Sequence, residues 1–350
     1  MPVERAPVRF GVVGCGVIAY WTHLRVIRGV RSAALVAAAD PDPDARARAR
    51  RLTGLPVCAD AAEVIARGDV DAVVVAAPPA AHAELAVAAA RGGKHVYLEK
   101  PIATTASDGR RVVAAVDEAR VVAAIGFNRR RHPAFERARD VVRAGRLGAV
   151  RAVHSSFCEP TAAGEMPEWK RRRATGGGVL LDLASHHIDL VRFLLDDEVA
   201  DVECRLTSEA SEHDGAWLRL ALRGGAEACS FFSFRAARSD AFELIGERAT
   251  LRIDRHRTSP ALRVSRRLGY GVRRAPLWPS PASIAWRAAR LLRPSYESSY
   301  ARALAAFADE IRGGPPQGLA TAADGLRALE VVLAAEESDR TGQAIALEPA

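Results

Sequence analysis

The chain of 350 residues has no apolar run of 18 or more, so no segment reads as a membrane-spanning helix. Its first residues, Met1 to Arg5, lack the apolar region and cleavage site of a secretory signal. Cysteine is scarce and scattered: Cys15, Cys58, Cys158, Cys204 and Cys229 are odd in number and form no C-x-x-C pair. That argues against a disulfide framework and against a structural zinc, and it predicts a reducing, cytoplasmic setting. Lysine is scarcer still, with Lys94, Lys100 and Lys170 set against 47 arginines. Drift in codon usage explains the overall excess of arginine, and two of the three lysines can be accidents of it. Acidic residues are missing altogether from Arg255 to Tyr296, which holds ten arginines. The formal net charge of +8 is therefore local to one segment rather than spread along the chain, and no nucleic-acid partner is expected.

At this length two domains are the natural division. Val8 to Val13 is short, apolar and β-branched, as a buried parallel strand requires. It runs into Gly14-Cys15-Gly16-Val17-Ile18-Ala19 and then an apolar-periodic helix to about Ile27. This is a G-x-G-x-x-A fingerprint between a strand and a helix. Gly14 suits the tight turn, Gly16 lets the backbone approach a pyrophosphate, and Ala19 permits close packing of helix on strand. The helix N-terminus offers N–H groups to the phosphates. A second strand, Ala34 to Ala39, ends in Asp40, where a carboxylate can hold a ribose 2′-hydroxyl and so favour NAD. Two readings compete with this. Asp40, like Asp42, can cap the helix that starts near Pro43, and Arg46 and Arg48 keep NADP open as the cofactor.

Strands at Val70 to Ala76, His95 to Leu98 and Val121 to Ile125 alternate with helices at Ala80 to Arg91 and Ser107 to Ala119. Such alternation predicts a doubly wound parallel sheet whose ligand lies beyond the carboxyl ends of the strands. Two of those ends, Ala77-Pro78-Pro79 and Glu99-Lys100-Pro101, are therefore candidates for cofactor contact, or ordinary loops. His82 reads as a residue of the first helical turn rather than a substrate contact. After Gly126-Phe127-Asn128-Arg129-Arg130 the pattern changes to strands at Val150 to Phe157, Val199 to Ser208, Ala216 to Leu222, Ala226 to Phe234, Ala241 to Ile245 and Thr250 to Ile253. This predicts an α+β domain with a mostly antiparallel sheet, open on one face.

Between the first two of those strands, Gly176-Gly177-Gly178 releases the backbone into a helix from Val179 to Leu195. Asp182, His186 and Asp189 form an i, i+4, i+7 polar stripe on an otherwise apolar helix, a costly arrangement unless the groups are paired or functional. A carboxylate with an imidazole is a general acid/base pair, and a satisfied structural network is the plainer alternative. His187 points elsewhere and reads as structural. No third ligand at suitable spacing supports a metal.

These pieces together resemble the Gfo/Idh/MocA family, named for glucose–fructose oxidoreductase, inositol dehydrogenase and MocA. The fingerprint at residues 14–19, Glu99-Lys100-Pro101, Gly126 to Arg130 and Gly176 to Asp189 occur in family order over nearly the whole chain. The resemblance implies that Lys100, Asp182 and His186 surround a substrate hydroxyl beside the nicotinamide. His186 would be the acid/base, Lys100 would hold the same oxygen, and Pro101 would position the lysine. It also implies cofactor contacts from Gly14, Gly16, Val17, Ile18, Ala19, Asp40, Ala77, Pro78, Glu99 and Lys100, and substrate contacts from Asn128 and Arg130. Substrates would be sugars, cyclitols or nucleotide sugars, and the assembly a dimer or tetramer formed through the open sheet face. Ala184 and Ala77 depart from residues common in the family without removing a reacting group. The expected domains are a Rossmann domain at 1–125, a substrate domain at 126–319 and a C-terminal helix at 320–350 that returns to the first. Thr321 and Asp324 suit a capping box there.

The expected activity is hydride transfer between nicotinamide and a secondary alcohol. An NAD-dependent glycosidase and a non-catalytic dinucleotide-binding regulator are the alternatives. The acid-free segment carries Trp278, Trp286, Leu291 and Leu292, with a helix expected at Ala282 to Arg293. It reads as an intersubunit surface, as an arginine site for a substrate diphosphate, or as a contact with an anionic membrane.

Overall fold

The computed structural model describes residues 6–161, 166–255 and 297–349, the backbone of 261–265 and 272–275, and residues 281, 284 and 288. Among the described residues no helix is long and apolar enough to cross a membrane. The chain forms two compact units. The first comprises Met1–Asn128 and Glu297–Leu329, and the second Arg129–Tyr296 and Glu330–Ala350.

The first unit is built on a parallel sheet of six strands: β1 (Val8–Val13), β2 (Ala33–Ala39), β3 (Val57–Cys58), β4 (Ala72–Val75), β5 (His95–Leu98) and β6 (Ala123–Ile125). Their spatial order is β3-β2-β1-β4-β5-β6. All pairings are parallel. β4 is buried at every position, as a strand covered on both faces must be. The order reverses at β1, which has β2 on one side and β4 on the other. A ligand crevice in such a sheet opens at that switch point, beyond the carboxyl ends of β1 and β4.

The segment 297–319, expected in the second domain, belongs to the first unit. The reason is aromatic packing. Helix Ser298–Ile311 buries Leu304 and Phe307 completely. The Phe307 ring lies 6.2 Å from Phe10 and 5.6 Å from Tyr97, in tilted and edge-on geometry. Helix Ala322–Thr341 opens with the expected capping box, Asp324 N–H donating to Thr321 Oγ1 and Thr321 N–H to Asp324 Oδ2. The boundary between the units falls within that helix, and its C-terminal half counts with the second unit rather than the first.

The second unit holds a sheet of nine strands: β7 (Val150–Cys158), β8 (Val199–Thr207), β9 (Gly215–Leu222), β10 (Glu227–Ser233), β11 (Ser239–Gly246), β12 (Ala249–Asp254), β13 (Ala261–Ser265), β14 (Val272–Ala275) and β15 (Ile345–Ala346). The order is β14-β13-β12-β11-β7-β10-β9-β8-β15. The β7–β10 pair is parallel and the other pairings are antiparallel. Burial alternates along β9 and β10, so one face is packed and the other is accessible. β13 and β14 lie inside the acid-free segment, where no strand was expected. They extend the sheet in register Leu262↔Ala275. Of the expected helix 282–293, residues 284 and 288 are described and are helical; Trp286, Leu291, Leu292 and Trp278 lie outside the described residues. Helix Ser185–Leu195 is buried from Ser185 to Leu194, in keeping with an apolar sequence on nearly all sides.

Candidate active site

The fingerprint turn in the first unit has the backbone its residues suggest. Gly14 has φ +88°, and a Cβ there would lie 2.6 Å from Ala77 N and 2.7 Å from Ala76 O. The bare Cα thus lets the ends of β1 and β4 meet. Gly16 is different: a Cβ there would meet no heavy atom within 4 Å. Packing alone does not require a glycine at that position. The open space leaves room for a ligand against the backbone. Ala19 is fully buried, whereas Val17 is 72% exposed beside the turn.

The helix that follows begins with a π-helical turn, Ala19–His23. A second π-helical turn, Leu180–Ala184, carries Asp182. Such turns are rare and recur at functional sites. The wider turn lies between Asp182 and His186, where ideal α-helical periodicity was expected.

Asp40 sits at the end of β2 and is nearly buried. Its Oδ2 accepts the Cys15 N–H at 2.6 Å and its Oδ1 accepts the Asp42 N–H at 2.8 Å. It does not cap the next helix. Asp42 does that, accepting from Asp44 and Ala45 N–H. Arg46 donates to the Asp40 and Pro41 carbonyls. Cys15, although within the fingerprint, is an inert thiol: burial, reinforced by the charge of Asp40, pushes its pKa up to about 12.

The two other strand ends are tied together by His82. Its ring nitrogens lie 2.7 Å from Pro101 O and 2.8 Å from Ala77 O. Burial pushes the imidazole pKa down. His82 is thus a brace between the Ala77-Pro78 and Lys100-Pro101 loops, more than an ordinary residue of a first helical turn. The Lys100–Pro101 peptide bond is cis. Glu99 points away from solvent and meets His23 Nε2 at 2.7 Å, with His23 fully buried among Tyr97 and Tyr300. Gly126 leaves room for this carboxylate, since a Cβ there would lie 2.7 Å from Glu99 Oε2. Asn128 Nδ2 donates to Ser299 Oγ at 2.6 Å.

In the second unit the polar stripe on the glycine-led helix separates into different partnerships. Asp189 is completely buried and accepts a fork from Arg130, with Nε at 2.9 Å and Nη2 at 2.5 Å. The Arg130 guanidinium also lies 5.1 Å from the Phe193 ring centroid. Asp182 is paired with Lys170, Nζ to Oδ2 at 2.6 Å. His186 is 8% exposed, with its ring 6.5 Å from that of Phe157. His187 faces elsewhere, as expected. It stacks on Phe157 and meets Ser155 Oγ at 2.9 Å and Asp240 Oδ1 at 3.2 Å. Burial pushes the His187 pKa down to about 4, against the pull of Asp240. Burial also opposes ionisation of Asp240, but Arg129, His187 and Arg255 outweigh it and hold that carboxyl well below the usual range.

Asn128 and Arg130 are therefore buried and held by Ser299 and Asp189. Three participants had gone unread in the sequence: His23, Asp240 and Lys170. Only Lys170 carried a signal there, as one lysine among 47 arginines. No cluster of His, Cys, Asp or Glu among the described residues could hold a metal ion.

A fingerprint turn at the switch point of a 3-2-1-4-5-6 sheet, joined to a unit with an Asp-x-x-x-His helix, defines a dinucleotide-dependent oxidoreductase. Residues 8–127 match the model of an oxidoreductase family with an NAD-binding Rossmann fold, and residues 135–252 match the GFO/IDH/MocA C-terminal domain. The chain is 33% identical over 299 residues to 1,5-anhydro-D-fructose reductase of Ensifer adhaerens, covering 82% of each chain. It is 32% identical to inositol 2-dehydrogenase of Rhizobium meliloti over 237 residues, 65% of this chain and 69% of the relative. Among solved structures it is similar to the WlbA dehydrogenase of Bordetella pertussis in complex with NADH and UDP-GlcNAcA, with TM-score 0.83, 26% identity and full coverage of both chains. The chain belongs to the Gfo/Idh/MocA family of oxidoreductases.

The first unit fits NAD on its own geometry. Gly16 leaves open space against the backbone of the turn, and Asp40, at the end of the neighbouring strand, has its carboxylate fixed by two N–H groups, an arrangement compatible with a dinucleotide.

Proposed function

We propose that this chain interconverts a secondary alcohol and a ketone on a sugar, cyclitol or nucleotide sugar, using NAD. NAD, when bound, supplies the hydride acceptor. His186 takes the hydroxyl proton in the oxidative direction and returns it in the other, and Asp182 supports it with a negative charge nearby. Lys100 donates to the reacting oxygen and favours its alkoxide character. Gly14, Gly16, Val17, Ile18 and Ala19 receive the pyrophosphate, Asp40 the ribose hydroxyls, and Ala77, Pro78, Glu99 and Lys100 line the nicotinamide side. Asn128 and Arg130 act as supports, since their side chains are already held by Ser299 and Asp189. The observation that carries the reading is the family's Lys, Asp and His at positions 100, 182 and 186 together with an open Gly16.

The substrate class follows the relatives: a reductase of 1,5-anhydro-D-fructose, an inositol dehydrogenase and a structure holding UDP-GlcNAcA. Subunits associate through the accessible face of the nine-stranded sheet, where Trp217 is 61% exposed and 4.5 Å from Phe231. A cytoplasmic setting accords with five free cysteines. The test is an absorbance assay at the reduced-nicotinamide band with myo-inositol, scyllo-inositol and UDP-linked sugars against NAD or NADP, and 1,5-anhydro-D-fructose against NADH. Stoichiometric NADH formation or consumption is expected. Sugar release without net NADH would replace dehydrogenation by glycoside cleavage, and cofactor binding with no turnover of any member would point to a regulator.

A further inference from the structure

Each of the three lysines has a definite place. Lys94 donates to the Arg67 and Val70 carbonyls and closes a loop, and Lys100 belongs to the Glu-Lys-Pro end of β5. Lys170 ion-pairs with Asp182, and its ammonium also lies 4.7 Å from the Phe234 ring centroid. Both members of the pair are about one-fifth exposed. The lysine sits on a helix of only four residues, Glu168–Arg171, which would not stand alone. Three backbone ties hold it in place. Thr175 Oγ1 donates to Trp169 O at 2.7 Å, Gly177 N–H to Arg172 O at 2.9 Å, and Arg171 Nε to Met166 O at 3.1 Å.

The glycine run has a steric purpose in this arrangement. A Cβ on Gly177 would lie 2.3 Å from Lys170 O and 2.8 Å from Arg172 O. Any side chain at 177 would push the lysine-bearing turn away from Asp182. Gly177 is therefore glycine so that the chain before the helix can lie against the chain that starts it.

The choice of lysine is equally informative. Arg130 shows what an arginine does to a carboxylate in this unit: its fork engages both oxygens of Asp189. An ammonium is a compact point charge that can hold one oxygen and leave the other to a different partner. We propose that Lys170 is a positioning residue of the hydride-transfer site, which orients Asp182 through one carboxylate oxygen and compensates its charge while leaving the second oxygen to the reacting partners. This rests on the reading that Asp182 and His186 carry the chemistry. Lys170 transfers no proton in it and forms no bond to substrate.

The test uses the full-length enzyme with the substrate that it turns over in the panel above. Lys170→Met should lower kcat about 10- to 100-fold. KM for NAD should stay within twofold and Tm within a few degrees. Lys170→Arg should also be impaired, because its fork would engage both oxygens. Asp182→Asn should lose activity, and adding Lys170→Met to it should cost nothing further, since both act through one carboxylate. With three lysines in the chain, ¹⁵N-lysine NMR gives a separate reading that needs no substrate: the Lys170 Nζ signal, assigned by its loss in Lys170→Arg, should shift in Asp182→Asn. Normal kcat in Lys170→Met, full activity in Lys170→Arg, multiplying losses in the double variant or an unmoved NMR signal would each overturn the proposal. Normal activity in Asp182→Asn alone would instead overturn the broader reading of the site.

Discussion

The carboxylate of Asp40 reaches back from the end of β2 to accept the backbone N–H of Cys15, in the middle of the fingerprint turn, at 2.6 Å. One residue thus fixes the fingerprint turn and, in the proposed reading, also meets the ribose. Replacing Asp40 with Ala should weaken both. NADH affinity, read by fluorescence titration, should fall at least tenfold. The NADP-to-NAD ratio of kcat/KM should rise, because Arg46 remains beside the site and a carboxylate that repels the 2′-phosphate has gone. Stability should fall by about 1–3 kcal/mol, since the Cys15 N–H is left buried and unpaired. An unchanged cofactor ratio would remove Asp40 from ribose recognition.

Gly14 and Gly16 should separate folding from binding. Gly14→Ala puts a Cβ against the Ala76–Ala77 backbone at a positive φ, so it should lower Tm markedly. Gly16→Ala meets nothing within 4 Å and should keep Tm while abolishing detectable NADH binding. A Gly16→Ala protein that binds NADH normally would show that the pyrophosphate does not approach there.

The Arg130–Asp189 fork is a stability element of the second unit. Both side chains are almost fully buried. Replacing Asp189 with Asn should cost about 3–5 kcal/mol, because a buried guanidinium loses its counter-charge. Urea unfolding measures this directly. A loss below 1 kcal/mol would mean that water or another group compensates Arg130.

Acid should destabilise the enzyme through His187. Its pKa is about 4 in the folded protein because it is buried, against an ordinary value of 6.5. The unfolded chain therefore binds a proton in that interval that the folded chain does not, so stability is complete above about pH 6.5 and declines as pH falls toward 4. The contribution is roughly 2–4 kcal/mol. His187→Gln should flatten the Tm–pH profile across this window, although its Tm at pH 7.5 falls because Ser155 and Asp240 lose a partner. An unaltered slope would assign the acid sensitivity to other groups.

Much of the first unit was legible because its signals are local. A β-branched run, a glycine turn and an apolar helix each follow from neighbouring residues, and alternation of such units implies a parallel sheet. The same holds for the glycine run before Asp182. What stayed illegible depends on partners distant in sequence. Nothing near residues 298–311 says that Phe307 packs between Phe10 and Tyr97, so that helix looked like part of the second domain. Nothing near Asp189 says that Arg130 will claim it, or near Glu99 that His23 will.

The sequence by itself determined the Rossmann unit and the mostly antiparallel second sheet, because periodicity and motif spacing are properties of the chain alone, while the candidate residues for hydride transfer came from the family resemblance. Only the tertiary structure decided which charged residues pair with one another. An ion pair is a matter of distance in space. The polar stripe Asp182, His186 and Asp189 reads as one cluster on paper, yet packing gives Asp189 to Arg130 and Asp182 to Lys170.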